Sequence, residues 1–126
     1  GEALEYGIQT FVWKRRAPMS LGDFDEFVST KWPKGVVRAK GMCYFADEKD
    51  TCYLFEQSGK QFNITNAGQW YATMPADELA DFLAKNPDVK KDWDPNVGDR
   101  MQKIVFIGQH LDRKAIEAEL DKCLSE

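Results

Sequence analysis

The chain is 126 residues long, with 43% apolar, 13% aromatic and 30% charged residues and a mean hydropathy of -0.54, which fits one globular domain and excludes collagen-like or disordered sequence. Seventeen basic residues against twenty-one acidic ones leave a net charge of -4, which repels a polyphosphate at long range and argues against nucleic acid as a partner. No apolar run approaches the roughly 20 residues that span a bilayer, the opening GEALEYG has no leader pattern, and three cysteines without a CxxC spacing read as reduced thiols, so a cytoplasmic chain with no membrane partner is expected.

Residues 7–14 (GIQTFVWK) are β-branched and aromatic with alternating character, which predicts a first strand ending at Arg15, Arg16 and Pro18. Ser20 is a helix N-cap with Asp23 at the capping-box position, and Leu21, Phe24, Phe27 and Val28 recur at helical spacing until Trp32 and Pro33, so this helix ends near Thr30. Residues 35–46 and 51–57 read as two strands around the polar tetrad 47–50. With the tetrad as the loop, Phe45 faces Cys52 and Tyr44 faces Tyr53. That register puts Cys43, Phe45, Cys52 and Leu54 on one face and Met42, Tyr44, Tyr53 and Phe55 on the other. Ser58 and Gly59 turn the chain into a strand at 60–65, and Asn66 to Gly68 turn it again into a short strand at 69–73 carrying Trp70, giving a meander of about four strands.

From Met74 the period changes. Pro75 suits the first turn of a helix whose Leu79, Phe82 and Leu83 share a face, and Asn86 and Pro87 end it. Residues 88–100 form a structured loop with turn signals at Asp94-Pro95 and Gly98-Asp99, and 101–108 (MQKIVFIG) predict a central strand covered on both faces. Asp112 caps a last helix with Ile116, Leu120, Cys123 and Leu124 as its buried stripe. The order β-α-β-β-β-β-α-β-α predicts an α+β domain, a mainly antiparallel sheet with helices packed on one face. Bulky residues pointing both ways on the middle strands imply that something covers the second face as well.

Chemistry is sparse. His110 is the single histidine, and no nucleophile motif surrounds Cys43, Cys52 or Cys123, so hydrolysis is not expected. Cys43, Cys52 and His110 are weak zinc candidates, outweighed by cysteines acting as small buried apolar residues. Neither a P-loop nor Gly-x-Gly-x-x-Gly occurs, and Asp92, Asp94 and Asp99 fit turn chemistry better than paired acids.

Four ordered motifs carry a family resemblance. Residues 92–108 (DWDPNVGDRMQKIVFIG), followed by Leu111-Asp112 and a final helix ending in KCL, resemble the C-terminal domain of CobW-type GTPases, also described as cobalamin-synthesis-like or zinc-metallochaperone-like proteins. YGIQTFVWKRRAP (6–18), WPKGVVRAKG (32–41) and NAGQWYA (66–72) are similar to further segments of that domain, in the same order, so the likeness runs from about Tyr6 to Leu124. The chain departs from the family's pattern where a Pro-Phe-His-like continuation reads Pro18, Met19, Ser20, and where Val97 replaces a Trp before Gly-Asp-Arg.

The resemblance implies a single CobW C-terminal-like domain over 1–126, the P-loop and Cys-x-Cys-Cys motif of the family belonging to an N-terminal GTPase domain outside this chain. It implies a parent that couples GTP hydrolysis to delivery of zinc or cobalt, with GTP, Mg and Zn or Co as the parent's cofactors and none in this chain. This chain is then a non-catalytic accessory domain that docks on its own GTPase domain, recognises a metalloenzyme client, or both. Trp13, Arg38, Lys40, Trp70, Asp94, Asp99 and Arg100 are the candidate interaction residues, as polar and aromatic groups at strand ends and in a long loop. The alternative is a stand-alone metal- or small-ligand-binding protein using Cys43, Cys52 and His110.

Overall fold

The structure, a computed structural model, describes residues 7–125. Tyr6, the first residue of one family-like motif, lies outside them. Five strands, β1 (Ile8–Arg15), β2 (Val36–Cys43), β3 (Thr51–Ser58), β4 (Gln61–Gln69) and β5 (Gln102–Gln109), form one sheet in the order β1-β5-β2-β3-β4, every neighbouring pair antiparallel. The α-helices among the described residues are α1 (Leu21–Thr30), α2 (Ala76–Lys85), α3 (Pro87–Lys91) and α4 (Arg113–Asp121), so the α+β class and the antiparallel sheet stand as read from the sequence.

Capping fixes where α1 and α4 start. The Ser20 hydroxyl accepts from the Asp23 N–H at 3.2 Å, and an Asp112 carboxylate oxygen accepts from the Ala115 N–H at 3.1 Å, each satisfying a donor that the first helical turn leaves free. Both helices lay their apolar stripes on the same sheet face, Phe24 and Phe27 from α1, Ile116 and Leu120 from α4, against Phe11, Trp13, Ala39, Cys43, Phe55, Ile104 and Phe106. A fully buried Trp13 joins α4 to β1 through its indole N–H, which donates to Asp121 at 2.9 Å. The second helix pair does not share that face. Asp88, Val89 and Asp92 border a cleft of about 310 Å³ whose other wall includes Met42 and Lys103, so α2 and α3 stand beside one corner of the opposite face, with the Phe82 ring 4.4 Å from Tyr71.

The hairpin register differs by one residue from the sequence reading. Cys43 pairs with Tyr53 and Met42 with Leu54, so Cys43, Tyr53 and Phe55 face the helices while Met42, Cys52 and Leu54 face away. A slip of one residue inverts every side chain, because the strand period is two. Its cause lies outside the hairpin: Met19 pairs with Phe45, its N–H donating to the Tyr44 carbonyl while its own carbonyl accepts from Ala46. Tyr44 and Phe45 thus leave the β2–β3 ladder, and the connection begins earlier than the polar tetrad.

Three further differences concern α3, a short helix that Pro87 starts within the segment read as a loop from residue 88, and the strands β4 and β5. Residues 66–68 are not a turn but a bulge, since Thr51 pairs with Gln69 and Tyr53 with Asn66, three steps on β4 spanning two on β3. One long strand therefore replaces the two short ones, and residues 71–73 form a single 3-10 turn. β5 lies between β1 and β2 as a central strand should, but only its Ile104 and Phe106 face is sealed, while Val105 and Ile107 stay half-buried on the side without helices.

Candidate functional site

Strand pairing assembles the open face row by row. One row runs Thr10, Ile107, Arg38, Ser58; the next Val12, Val105, Lys40, Glu56; the third Lys14, Lys103, Met42, Leu54. The result is an apolar strip of Val12, Val105, Ile107, Met42 and Leu54 set among four cations and one carboxylate, Glu56, on a chain whose net charge is -4. Lys14 is paired with Asp92 at 2.9 Å, whereas Arg38, Lys40 and Lys103 make no ion pair among the described residues. Flat, half-apolar and basic, this surface suits contact with another macromolecule better than enclosure of a small ligand.

The long loop beside this face is rigid by hydrogen bonding. Asp94 accepts from the Asn96 and Val97 N–H groups at 2.8 and 3.0 Å, and its backbone exchanges two bonds with Gly98. Those two N–H donors hold its carboxyl below the usual range. Asp92 is also lowered, chiefly by the Lys14 hydrogen bond, with Arg16 adding to it at 3.1 Å. Asp99 accepts from the Tyr71 and Ala72 N–H groups, both at 2.9 Å, so it fastens the loop to the 3-10 turn. Arg100 reaches the other way, to the Lys49 carbonyl at 2.8 Å and Asp50 at 2.6 Å, and Arg16 donates to the carbonyls of Gly98, Arg100 and Asp92.

Of the seven candidate interaction residues, Arg38 and Lys40 lie exposed on the open face. Asp94, Asp99 and Arg100 organise the loop next to it. Trp13 and Trp70 are corrected: at 0% and 5% exposure they are core residues, Trp13 beneath α4 and Trp70 packed edge-on against Tyr44. The sequence reading missed Val12, Lys103, Val105 and Ile107, because the apolar end of β5 read as doubly covered. The alternation in TFVWK and the Lys103 near the start of QKIVFIG were the available signals.

Cys43, Cys52 and His110 do not converge. Cys43 ends β2 on the helix side, Cys52 faces the other side, and His110 follows β5 near the start of β2, whose Val36 lies seven residues from Cys43, about 23 Å of strand. Burial pushes the Cys43 thiol up to about 12 and those of Cys52 and Cys123 to about 11, which opposes the thiolate a metal requires. Among the described residues no group of three or more His, Cys, Asp or Glu is arranged to hold a metal ion, so a zinc centre does not fit here.

Comparison with known proteins bears on the family and the fold. The model of the cobalamin synthesis protein cobW C-terminal domain matches residues 8–124. A Dictyostelium discoideum protein, zinc-regulated GTPase metalloprotein activator 1, is 35% identical over 127 residues, which cover 98% of this chain and 26% of that protein. Among solved structures, the Zn(II)-bound YjiA GTPase from E. coli superposes with a TM-score of 0.63 at 16% identity, covering 94% of this chain and 30% of that one, and a Zn(II)-bound triple mutant of the same GTPase gives the same values. The chain thus spans about a quarter of the curated relative it matches, and the structural likeness shows the fold. On the family match over nearly its whole length, the chain belongs to the cobalamin synthesis protein cobW C-terminal domain family.

Proposed function

We propose that this chain is a protein-interaction domain without catalytic chemistry of its own, working within a GTP-dependent zinc or cobalt chaperone of the CobW type. Its open sheet face docks on the GTPase domain, and the loop of residues 92–100 positions that face and takes part in recognising the client. The supporting observation is the charge segregation: Arg38, Lys40 and Lys103 stand without ion-pair partners among the described residues, around a half-buried apolar strip, on an otherwise acidic chain. Such a surface draws an acidic partner face by long-range attraction and then gains from burying the strip. GTP, Mg and the delivered metal belong to the parent, where the metal is cargo.

The test is calorimetric mixing of this chain with the matching GTPase domain at about 10 to 50 µM, a range that detects micromolar dissociation constants. The expected result is a one-to-one complex that weakens with salt and is lost on Arg38→Glu with Lys40→Glu. Absence of heat and of co-elution for the unaltered pair overturns the docking assignment. Full-strength binding by the double variant overturns the choice of face.

A further inference from the structure

The two edges of the sheet are protected unequally. β1 ends in Lys14 and Arg15, whereas β4 runs nine residues, Gln61–Gln69, with no charged residue and no proline, and all nine are exposed. Long edge strands usually carry charges, prolines or bulges that block pairing with another chain. The β4 bulge lies beyond Asn66, so 61–65 is left as a regular, uncharged edge.

The hairpin turn decides which backbone groups that edge presents. Gly59 has φ +58 in a two-residue turn, so Ser58 and Gln61 form the closing hydrogen-bonded pair. By alternation Gln61, Asn63 and Thr65 bond to β3, and the N–H and C=O groups of Phe62 and Ile64 point outward. The side chains of these same two residues, 37% and 44% exposed, line an open groove of about 210 Å³ with Leu21, Phe24, Val28 and Phe55. Asp25 stands in the wall of the groove.

Charge identifies the occupant. α1 carries Asp23, Asp25 and Glu26 and no basic residue; Glu26 reaches Lys31 at 3.8 Å, while Asp23 and Asp25 make no ion pair among the described residues. A second copy pairing β4 to β4 about a two-fold axis would set two such helices side by side on one face, carboxylates against carboxylates. A cationic segment meets no such repulsion.

We propose that the β4 edge and its groove accept an extended, basic segment of a partner protein as a sixth strand. Its alternate apolar side chains, opposite Phe62 and Ile64, enter the groove beside Leu21 and Val28, and a Lys or Arg of the segment faces Asp25. Main-chain bonds supply affinity, and groove and carboxylate supply selectivity. This site is separate from the basic sheet face and does not rest on its docking.

The experiment selects peptides from a displayed random twelve-residue library on the full 126-residue chain. The best binder is then titrated into isotope-labelled protein by NMR, as itself and N-methylated on either set of alternate amides. The expected outcome is enrichment of apolar-x-apolar sequences containing Lys or Arg, shifts centred on residues 61–66 and α1, and a loss of about tenfold or more in affinity for one methylation pattern only. Asp25→Asn should weaken binding about three- to tenfold, and Ile64→Pro, which removes an outward N–H together with a groove-lining side chain but no bond to β3, should abolish it. No enrichment, shifts located elsewhere, equal tolerance of both methylation patterns, or binding indifferent to Asp25→Asn overturns the proposal. So does a concentration-dependent dimer that Ile64→Pro dissolves, because the occupant is then a second copy.

Discussion

Replacing Gln102 by leucine probes the joint that ties β5 to the backbone at Ala17 and Tyr44. Gln102 is fully buried, and its amide makes three bonds: Nε2 donates to the carbonyls of Ala17 and Tyr44, both at 2.9 Å, and Oε1 accepts from the Tyr44 N–H at 3.1 Å. Leucine fills a similar volume and adds apolar burial, so hydrophobicity alone predicts a neutral or stabilising change. Backbone bonding predicts the opposite. The Tyr44 carbonyl keeps a donor in the Met19 N–H, but the Tyr44 N–H loses its partner in a buried setting and the part-buried Ala17 carbonyl loses one as well. At about 1 to 3 kcal/mol for a buried orphan and less for the half-exposed one, the net loss is about 2 to 4 kcal/mol. For a domain of this size that lowers Tm by about 8 to 15 °C. Urea unfolding followed by fluorescence of the buried Trp13 and Trp70 measures it, and the slope with denaturant should not change. A Gln102→Leu variant within about 0.5 kcal/mol of the unaltered chain refutes this reasoning, since that is the ordinary scatter of neutral substitutions.

Other outcomes follow from the same structure. Arg38→Glu with Lys40→Glu, on exposed positions without ion pairs among the described residues, should cost no more than about 1 kcal/mol, chiefly because Lys40 lies opposite Glu56 and its replacement sets two carboxylates across the strands, while reversing the charge of the sheet face; thermal melts and salt-dependent binding report both together. Gly41→Ala should cost about 3 kcal/mol, because the added Cβ would lie 1.9 Å from the Lys103 carbonyl oxygen and 2.6 Å from the Ile104 Cα, both backbone atoms that yield only if β2 and β5 separate; denaturant midpoints decide it. Asp92 and Asp94 titrate below their ordinary values when folded, so their stabilisation is present above the unfolded carboxylate pKa of about 3.9 and disappears as pH falls through the lower folded values. Melting temperature should therefore drop below about pH 4, and drop less in an Asp92→Asn, Asp94→Asn variant; an unaltered slope would show that other groups carry the acid response.

Short-range physics explains which elements were legible in the chain. The caps Ser20 and Asp112, the helical spacing of Phe24 with Phe27 and of Ile116 with Leu120, and the β-branched run of β5 each act within a few residues, so helices and strands could be placed from them. The ordered motifs gave the family for the same reason, each being a local pattern. Of the candidate site, Arg38 and Lys40 were legible as charged residues within a strand-like run, and the burial of Ala39 between them leaves both on the exposed side.

Tertiary contacts decided the rest. No local signal could show that Met19, more than twenty residues upstream, would capture Tyr44 and Phe45 and so invert the faces of the hairpin, parting Cys43 from Cys52. Residues 66–68 carry turn chemistry, yet the ladder with β3 absorbs them as a bulge, because pairing along nine residues outweighs a local preference for reversal. Trp13 and Trp70 look like interface aromatics in sequence and become core because α4 packs over the first and Tyr44, Cys52 and Met101 enclose the second. By itself the sequence determined the fold class, the family and most element types, which depend on local period and pattern, but not the 3-10 turn at 71–73 or the short helix α3. Only the assembled sheet decided the register, the buried or exposed state of each aromatic, and the gathering of Arg38, Lys40 and Lys103 on one open face, since these depend on which distant strands meet.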